Sequence, residues 1–332
     1  MKNKLLVSCF LLTLVLRLNA KRGRREKSFP CGVSEFPQSL RPRRQNRVLN
    51  GWETRPNAFP WIVAVFYKPN MEFKVACGGS LIDLQKKNYS STVLTATHCF
   101  LTGKRYDKAT DYYVVGGLHD IKEQNNEAVQ RSNVAKYLRL DFDNSVLQND
   151  ISVVILEQPL LFTQYVRPIC LPKPCGTFVP GSDCVTAGWG LVDGIPATTL
   201  QMMDVKISNP NKCKKDYGDN FNHHQQICVN IPRSKRNVCR GDSGGPLFCK
   251  ENAVYVLYGL VSYGSSCDEM DAASVYTRVP AFLHWIDQMG GIYNPKNVTE
   301  FQFKKSEAEA AIINTMDPKC NKYNSKQRFF PR

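Results

Sequence analysis

The chain has 332 residues, 13 of them cysteine, and a formal charge of +15. Its length is ample for a real core, in one large domain or two small ones. The charge invites a nucleic-acid partner, but the excess of Lys and Arg sits in residues 1–47 and 291–332. The span 48–290 is close to neutral, which removes most of that case.

In chain order, Lys2 and Lys4 precede an apolar run from Leu5 to Leu16, and Asn19-Ala20 ends on a small residue. The run is too short to span a bilayer, so residues 1–20 are expected to be a cleaved signal peptide rather than an anchor. Leu18 is larger than the usual residue two before the cut. No later stretch is long and apolar enough for a transmembrane helix. A secreted, extracellular product follows, and with it a disulfide framework. Cys9 leaves with the signal peptide and twelve cysteines remain; with no CxxC and only five His, a zinc site is disfavoured. Asn88 (Asn-Tyr-Ser) and Asn297 (Asn-Val-Thr) are glycosylation acceptors that fit such a chain.

Residues 21–47 are basic, hold Pro30, Pro37 and Pro42, and read as an irregular pro-segment. From Val48 short apolar or alternating runs alternate with Gly and Pro: Trp61–Tyr67, Thr92–Ala96, Tyr112–Val115, Ile151–Leu156 and Val254–Ser262. That spacing predicts an all-β barrel or sandwich over 48–290. One helix is predicted at Val279–Gly290, with Phe282, Leu283, Trp285, Ile286 and Met289 on a broad face and Gly290-Gly291 as its stop. The extension 291–332 has one candidate helix, Ser306–Asn314, and no internal repeat is visible anywhere in the chain.

Chemistry concentrates in Cys239-Arg240-Gly241-Asp242-Ser243-Gly244-Gly245-Pro246-Leu247. Glycines on both sides of a serine allow a tight turn that exposes the hydroxyl and aims amide N–H groups beside it. A serine hydroxyl is a weak nucleophile and needs a base. His98, in Leu94-Thr95-Ala96-Thr97-His98-Cys99, is the candidate. Asp150, opening the buried run Asn149-Asp150-Ile151-Ser152-Val153-Val154, is a carboxylate that needs a partner and can hold the imidazole. Each alone has a structural reading: a turn, a core histidine, a strand cap. Their joint occurrence in the order His, Asp, Ser decides for nucleophilic catalysis.

At these residues the chain resembles the chymotrypsin-like (trypsin-fold) serine peptidases, over roughly Val48 to Gly290. Cys77–Ile82 (CGGSLI), Val166–Pro172 (VRPICLP), Gly188-Trp189-Gly190, Val261–Gly264 and Val275–Val279 add to the resemblance. It implies two packed six-stranded antiparallel β-barrels with the active site between them, followed by a C-terminal helix and extension. His98 and Asp150 would come from the first barrel and Ser243 from the second, joined near Gln158–Gly176. His98 would be general acid and base, and the amides of Gly241 and Ser243 the oxyanion hole; this family is the worked template for that mechanism. Ser262 would pack near Asp150. Arg47-Val48-Leu49-Asn50-Gly51 resembles the family's activation site, with Val48 as new N-terminus and Asp242 as partner of its ammonium. Arg44–Arg47 also fits a minimal convertase signal. Partners implied are protein or peptide substrates, an activating protease and protein inhibitors, acting on a monomer with no cofactor, metal, membrane or nucleic acid. A catalytically inactive homologue that binds or signals is the alternative.

Departures from the family pattern carry the specificity reading. Asn237 stands six residues before the nucleophile, where trypsin-like members have Asp. A basic substrate side chain would be buried unpaired there, at a cost of several kcal/mol. Gly264 keeps the pocket mouth open and Ser274 replaces a frequent Gly on the opposite wall. An apolar, aromatic or amide-bearing residue before the cut is expected. Asp268, Glu269 and Asp271 are the acidic residues that could overturn this. Arg240 with Arg233, Lys235 and Arg236 could form a basic rim, and Leu118 stands where the family's first calcium-binding Glu would be. Thr97 replaces the usual Ala, and the Cys77–Cys99 interval is enlarged around Asn88. The family pattern pairs Cys31 with Cys170, Cys77 with Cys99, Cys184 with Cys249, Cys213 with Cys228, and Cys239 with Cys267. Cys175 and Cys320 are left over, and their pairing would staple the extension to the domain.

Overall fold

The computed structural model describes residues 29–38, 52–69, 75–173, 183–192, 194–230, 239–264 and 273–292. Twelve strands build two closed six-stranded antiparallel barrels. The first comprises β1 (Ile62–Tyr67), β2 (Val75–Ile82), β3 (Tyr89–Thr95), β4 (Tyr112–Gly116), β5 (Gln130–Arg139) and β6 (Ser152–Leu161), ordered β1-β2-β3-β6-β5-β4. The second comprises β7 (Asp183–Gly188), β8 (Gln201–Ile207), β9 (Gln226–Asn230), β10 (Pro246–Glu251), β11 (Val254–Tyr263) and β12 (Ser274–Arg278). Around its ring the order is β7-β8-β9-β12-β11-β10, the same permutation as the first. This duplication of architecture leaves no repeat in the residues.

The uninterrupted apolar texture of the strands has a simple cause. In β1, Val63 and Val65 point into the first barrel with Leu81, Val93, Val114 and Val154. Their neighbours Ile62, Ala64 and Phe66 face outward, into a second core with Leu94, Val115, Val153 and Ile155. That outer core is shared with Val185, Phe248, Leu257 and Leu260 of the second barrel. Successive side chains leave a strand on opposite faces, so a strand buried on both must be apolar throughout. Helix α1 (Pro210–Tyr217), capped by Asn209, was not predicted. The predicted C-terminal helix begins instead as a 3-10 turn, Val279–Phe282, and becomes α-helical as α2 over Leu283–Ile292. Pro280 fits that first turn, where its missing N–H costs nothing. Phe282, Trp285, Ile286 and Met289 recur on one face and are fully buried in the shared core. Each contributes about 2–3 kcal/mol by burial. Leu283 is only partly buried against that core.

Four disulfides are formed among the described residues: Cys31–Cys170, Cys77–Cys99, Cys184–Cys249 and Cys213–Cys228. Cys267, the partner expected for Cys239, lies outside the described residues, as do Cys175 and Cys320. Residues 29–38 are docked on the body as well as bonded to it. Gly32 donates to Pro168 O and accepts from the Tyr255 amide. Phe36 stacks on Tyr165, and Glu35 pairs with the buried Arg167. Strand β6 extends to Leu161, so the connection between the barrels starts at Phe162 rather than at Gln158.

Candidate active site

His98 sits in a 3-10 turn, Thr97–Phe100, directly after β3, and Asp150 directly precedes β6. The two strands are ladder neighbours, with Thr95 opposite Ser152, so pairing alone brings the residues together. Asp150 is 1% exposed, and its carboxylate is fully engaged. Oδ2 accepts from His98 Nδ1 at 2.8 Å and from Ser262 Oγ at 2.5 Å, while Oδ1 accepts from the His98 amide at 3.0 Å. Burial pushes the Asp150 pKa up, but the His98 charge and these hydrogen bonds outweigh it and hold the carboxyl below its ordinary range. Burial lowers the His98 pKa, and Asp150 more than reverses this, so the imidazole titrates above its ordinary value. Bonded at Nδ1 to a carboxylate, the neutral ring keeps its proton there and leaves Nε2 as its basic nitrogen.

Two further threonines support the pair. Thr97 Oγ1 bonds to Ile151 O at 2.8 Å and to Ser152 Oγ at 2.9 Å, tying the His98 turn to β6. The departure from Ala at this position therefore adds a satisfied buried contact. Thr277 Oγ1 in β12 donates to Asp150 O at 2.7 Å. Thr277 lies inside one of the strings that carry the resemblance, yet only its pairing across the barrels reveals this contact.

Ser243 lies in the loop before β10. Gly241 and Gly244 have φ of 97° and 71°, the left-handed region open to glycine. A Cβ on Gly244 would also collide with the side chain of Thr95, so the serine loop rests against the residues just before His98. Ser243 O accepts from the Gly78 amide of the first barrel at 2.8 Å. No hydrogen bond joins Ser243 Oγ to His98. The amides of Gly241 and Ser243 donate to no acceptor among the described residues. Between them the Asp242 amide is bonded to Cys239 O, and after them the Gly244 amide to Val261 O.

Next to the serine, Asp242 turns inward. Its carboxylate accepts from the Gly190 amide at 2.9 Å and the Cys239 amide at 3.0 Å. A side chain at Gly188 or Gly190 would collide with it. Burial pushes its pKa up to about 6 against the opposing pull of the two amides. Of the expected pocket residues, Ser262 is buried on Asp150, Gly264 is exposed, and Ser274 is buried at the start of β12. A Cβ on Gly264 would sit 3.4 Å from Ser274 Oγ, so the two residues face each other. Asn237, Arg47, Val48, Asp268, Glu269, Asp271, Arg233, Lys235, Arg236 and Asn297 lie outside the described residues. Asn88 is exposed between β2 and β3. Leu118 packs into the shared core. One grouping of metal-ligand type occurs among the described residues, Cys77, His98 and Cys99, and its two sulfurs are bonded to each other.

Paired barrels, with a His–Asp pair on the first and a glycine-rich serine loop of the second resting against the residue two before that histidine's turn, give the arrangement expected of a serine-peptidase scaffold. The family model described as Trypsin matches residues 48–286, and the chain belongs to that family of serine peptidases, hydrolases that act on proteins. No helix among the described residues is long and apolar enough to cross a membrane.

Proposed function

We propose that the protein is a secreted serine endopeptidase, made as a zymogen, with Ser243, His98 and Asp150 as its triad. The observation that carries this reading is the Asp150 carboxylate fully engaged by His98 and Ser262, with the Ser243 loop packed against Thr95 and the amides of Gly241 and Ser243 left without an acceptor among the described residues. In the proposed reaction Ser243 Oγ attacks the scissile carbonyl and His98 Nε2 takes its proton. Asp150 holds the Nδ1–H and stabilises the imidazolium. The amides of Gly241 and Ser243 receive the developing oxyanion, the leaving amine takes the proton from Nε2, and water then hydrolyses the acyl-enzyme.

Activation is proposed to follow a cut after Arg47. The buried Asp242 carboxylate supports this: a charge held by two amides alone is costly, and the Val48 ammonium would neutralise it. Asn237 at the pocket base favours an apolar, aromatic or amide-bearing residue before the cut. The leader at 1–20 and the disulfides support export, and Asn88 and Asn297 are the proposed glycan acceptors. Domain limits of 21–47 for the pro-segment, 48–290 for the peptidase and 291–332 for the extension belong to the same proposal, as does a Cys175–Cys320 bridge. Labelling of the processed protein by a serine-directed fluorophosphonate tests the core of it. Labelling that vanishes in Ser243→Ala is the expected outcome; an unlabelled wild type would assign the chain to the inactive, binding relatives.

A further inference from the structure

Asp150 is presented by a turn in an unfavourable backbone conformation. Leu147 and Asn149 have φ of 51° and 58°, the left-handed region that non-glycine residues enter at a cost. The loop before it is closed on itself, by Asn149 Nδ2 on Asp141 O at 2.9 Å and by the Asp143–Gln148 bridge. Those contacts hold the loop together without fixing it against the rest of the molecule. Strain of this kind persists only where the surroundings over-determine it.

The second barrel supplies that constraint. Gln226, in β9, is 3% exposed, and its Nε2 donates to Leu147 O at 3.2 Å. Its Oε1 accepts from the Asn222 amide at 2.8 Å and from Tyr263 OH at 3.3 Å, which fixes the orientation of the amide. Across the ladder, Gln226 is paired with Thr277, whose hydroxyl holds Asp150 O. Two registered residues of β9 and β12 therefore grip the strained turn at its first and last carbonyls, while Ser262 of β11 grips the carboxylate between them.

We propose that Gln226 is a positioning residue for catalysis: it clamps Leu147 to the second barrel and so sets where Asp150 presents its carboxylate to His98. The proposal rests on the reading of Asp150 as the carboxylate that orients the base. It extends that reading, because the hydrogen bonds of the Gln226 side chain go to Leu147, Asn222 and Tyr263 and to no member of the triad. A buried glutamine on a barrel strand could instead serve packing alone, and the two roles separate in kinetics.

The test uses the active enzyme with its concentration of sites counted by fluorophosphonate titration. Gln226→Asn keeps the buried amide but withdraws it by one methylene. Its kcat per titrated site should fall about tenfold, as small misplacements of reacting groups do, with KM changed less than about twofold. The acid limb of kcat/KM should move down toward the ordinary histidine value, because a displaced Asp150 raises the His98 pKa less. Gln226→Leu removes both arms of the clamp and should show the same pattern more strongly; if it does not fold, Gln226→Asn still decides. Unchanged kcat per site and an unchanged acid limb in Gln226→Asn, with only melting temperature or yield reduced, would overturn the proposal. A wild type that titrates no sites refutes the peptidase reading instead, and the two failures are thus distinct.

Discussion

The two barrels share one strand order and divide the work of the site by different physical means. In the first, His98 and Asp150 flank neighbouring strands, and the ladder that pairs Thr95 with Ser152 brings them to 2.8 Å. Both carboxylate oxygens of Asp150 are used, by His98 of the same barrel and Ser262 of the second, so packing of the two barrels is enough to complete the pair. In the second, Ser243 sits on a loop shaped by glycines of positive φ and anchored by a buried carboxylate whose partners are two amides. A strand ladder is insensitive to cutting a remote peptide bond, whereas a buried charge is sensitive to any new counter-ion. The comparison teaches why control by proteolysis would fall on the serine half and leave the base half alone.

The most severe break comes from the serine itself. Ser243→Ala should lower kcat by roughly 10⁴-fold or more while leaving melting behaviour near that of the wild type, measured on a peptide substrate and by calorimetry. Arg47→Gln should leave the second half unset: no activity should develop on processing, and active wild-type enzyme should begin at Val48. N-terminal sequencing that reads through Arg47 in active material would remove the activation proposal. Next in size is the pocket. Asn237→Asp should raise cleavage after Lys and Arg at least about tenfold, since one restored charge pair is worth ~1.4 kcal/mol or more. Peptide-library profiling reads this directly, and a wild type already selecting Lys or Arg would refute the pocket assignment.

The smallest effects are in pH dependence, and they separate the halves most finely. His98 has a raised pKa, so its contribution to stability is complete below the unfolded value of 6.5 and lost as pH rises through the folded value. Activity needs the neutral ring, so kcat/KM should rise through a pKa above 6.5. Asp150 is lowered, and its contribution is present above 3.8 and lost as pH falls through its folded value. Asp242 behaves oppositely in the uncut chain. Its folded pKa of about 6 lies above 3.8, so acidification from pH 6 to 4 should stabilise the uncut form, by about 3 kcal/mol at most. Pairing with an ammonium abolishes that gain in the cut form. Melting curves of both forms across this range check it; parallel curves would detach Asp242 from activation.

Much of the site could be read from residues alone, because its chemistry demands particular types beside particular neighbours. A glycine-flanked serine, a histidine locked by Cys99 and a carboxylate opening an apolar run are local signatures. The apolar runs likewise announced strands, since burial on both faces removes polar residues from 62–66 or 153–156. Strands such as Gln130–Arg139 and Gln201–Ile207, with one wet face and interspersed charges, carried a weaker signal. Helix α1 was hidden because Cys213 is its one buried side chain among polar neighbours.

What the sequence by itself determined is the inventory: which side chains are by type the candidates for nucleophile, base and carboxylate, and which stretches must be buried. Tertiary structure alone decided the company they keep. The roles of Thr97, Thr277 and Gln226 depend on contacts across 54 residues or more, and nothing in their immediate neighbours specifies them. The same holds for the matching ring order of the barrels and for the docking of residues 29–38. Hydrogen bonds and packing act through space over a few ångströms, so a residue's partners are set by how the strands close, which no local stretch of sequence encodes.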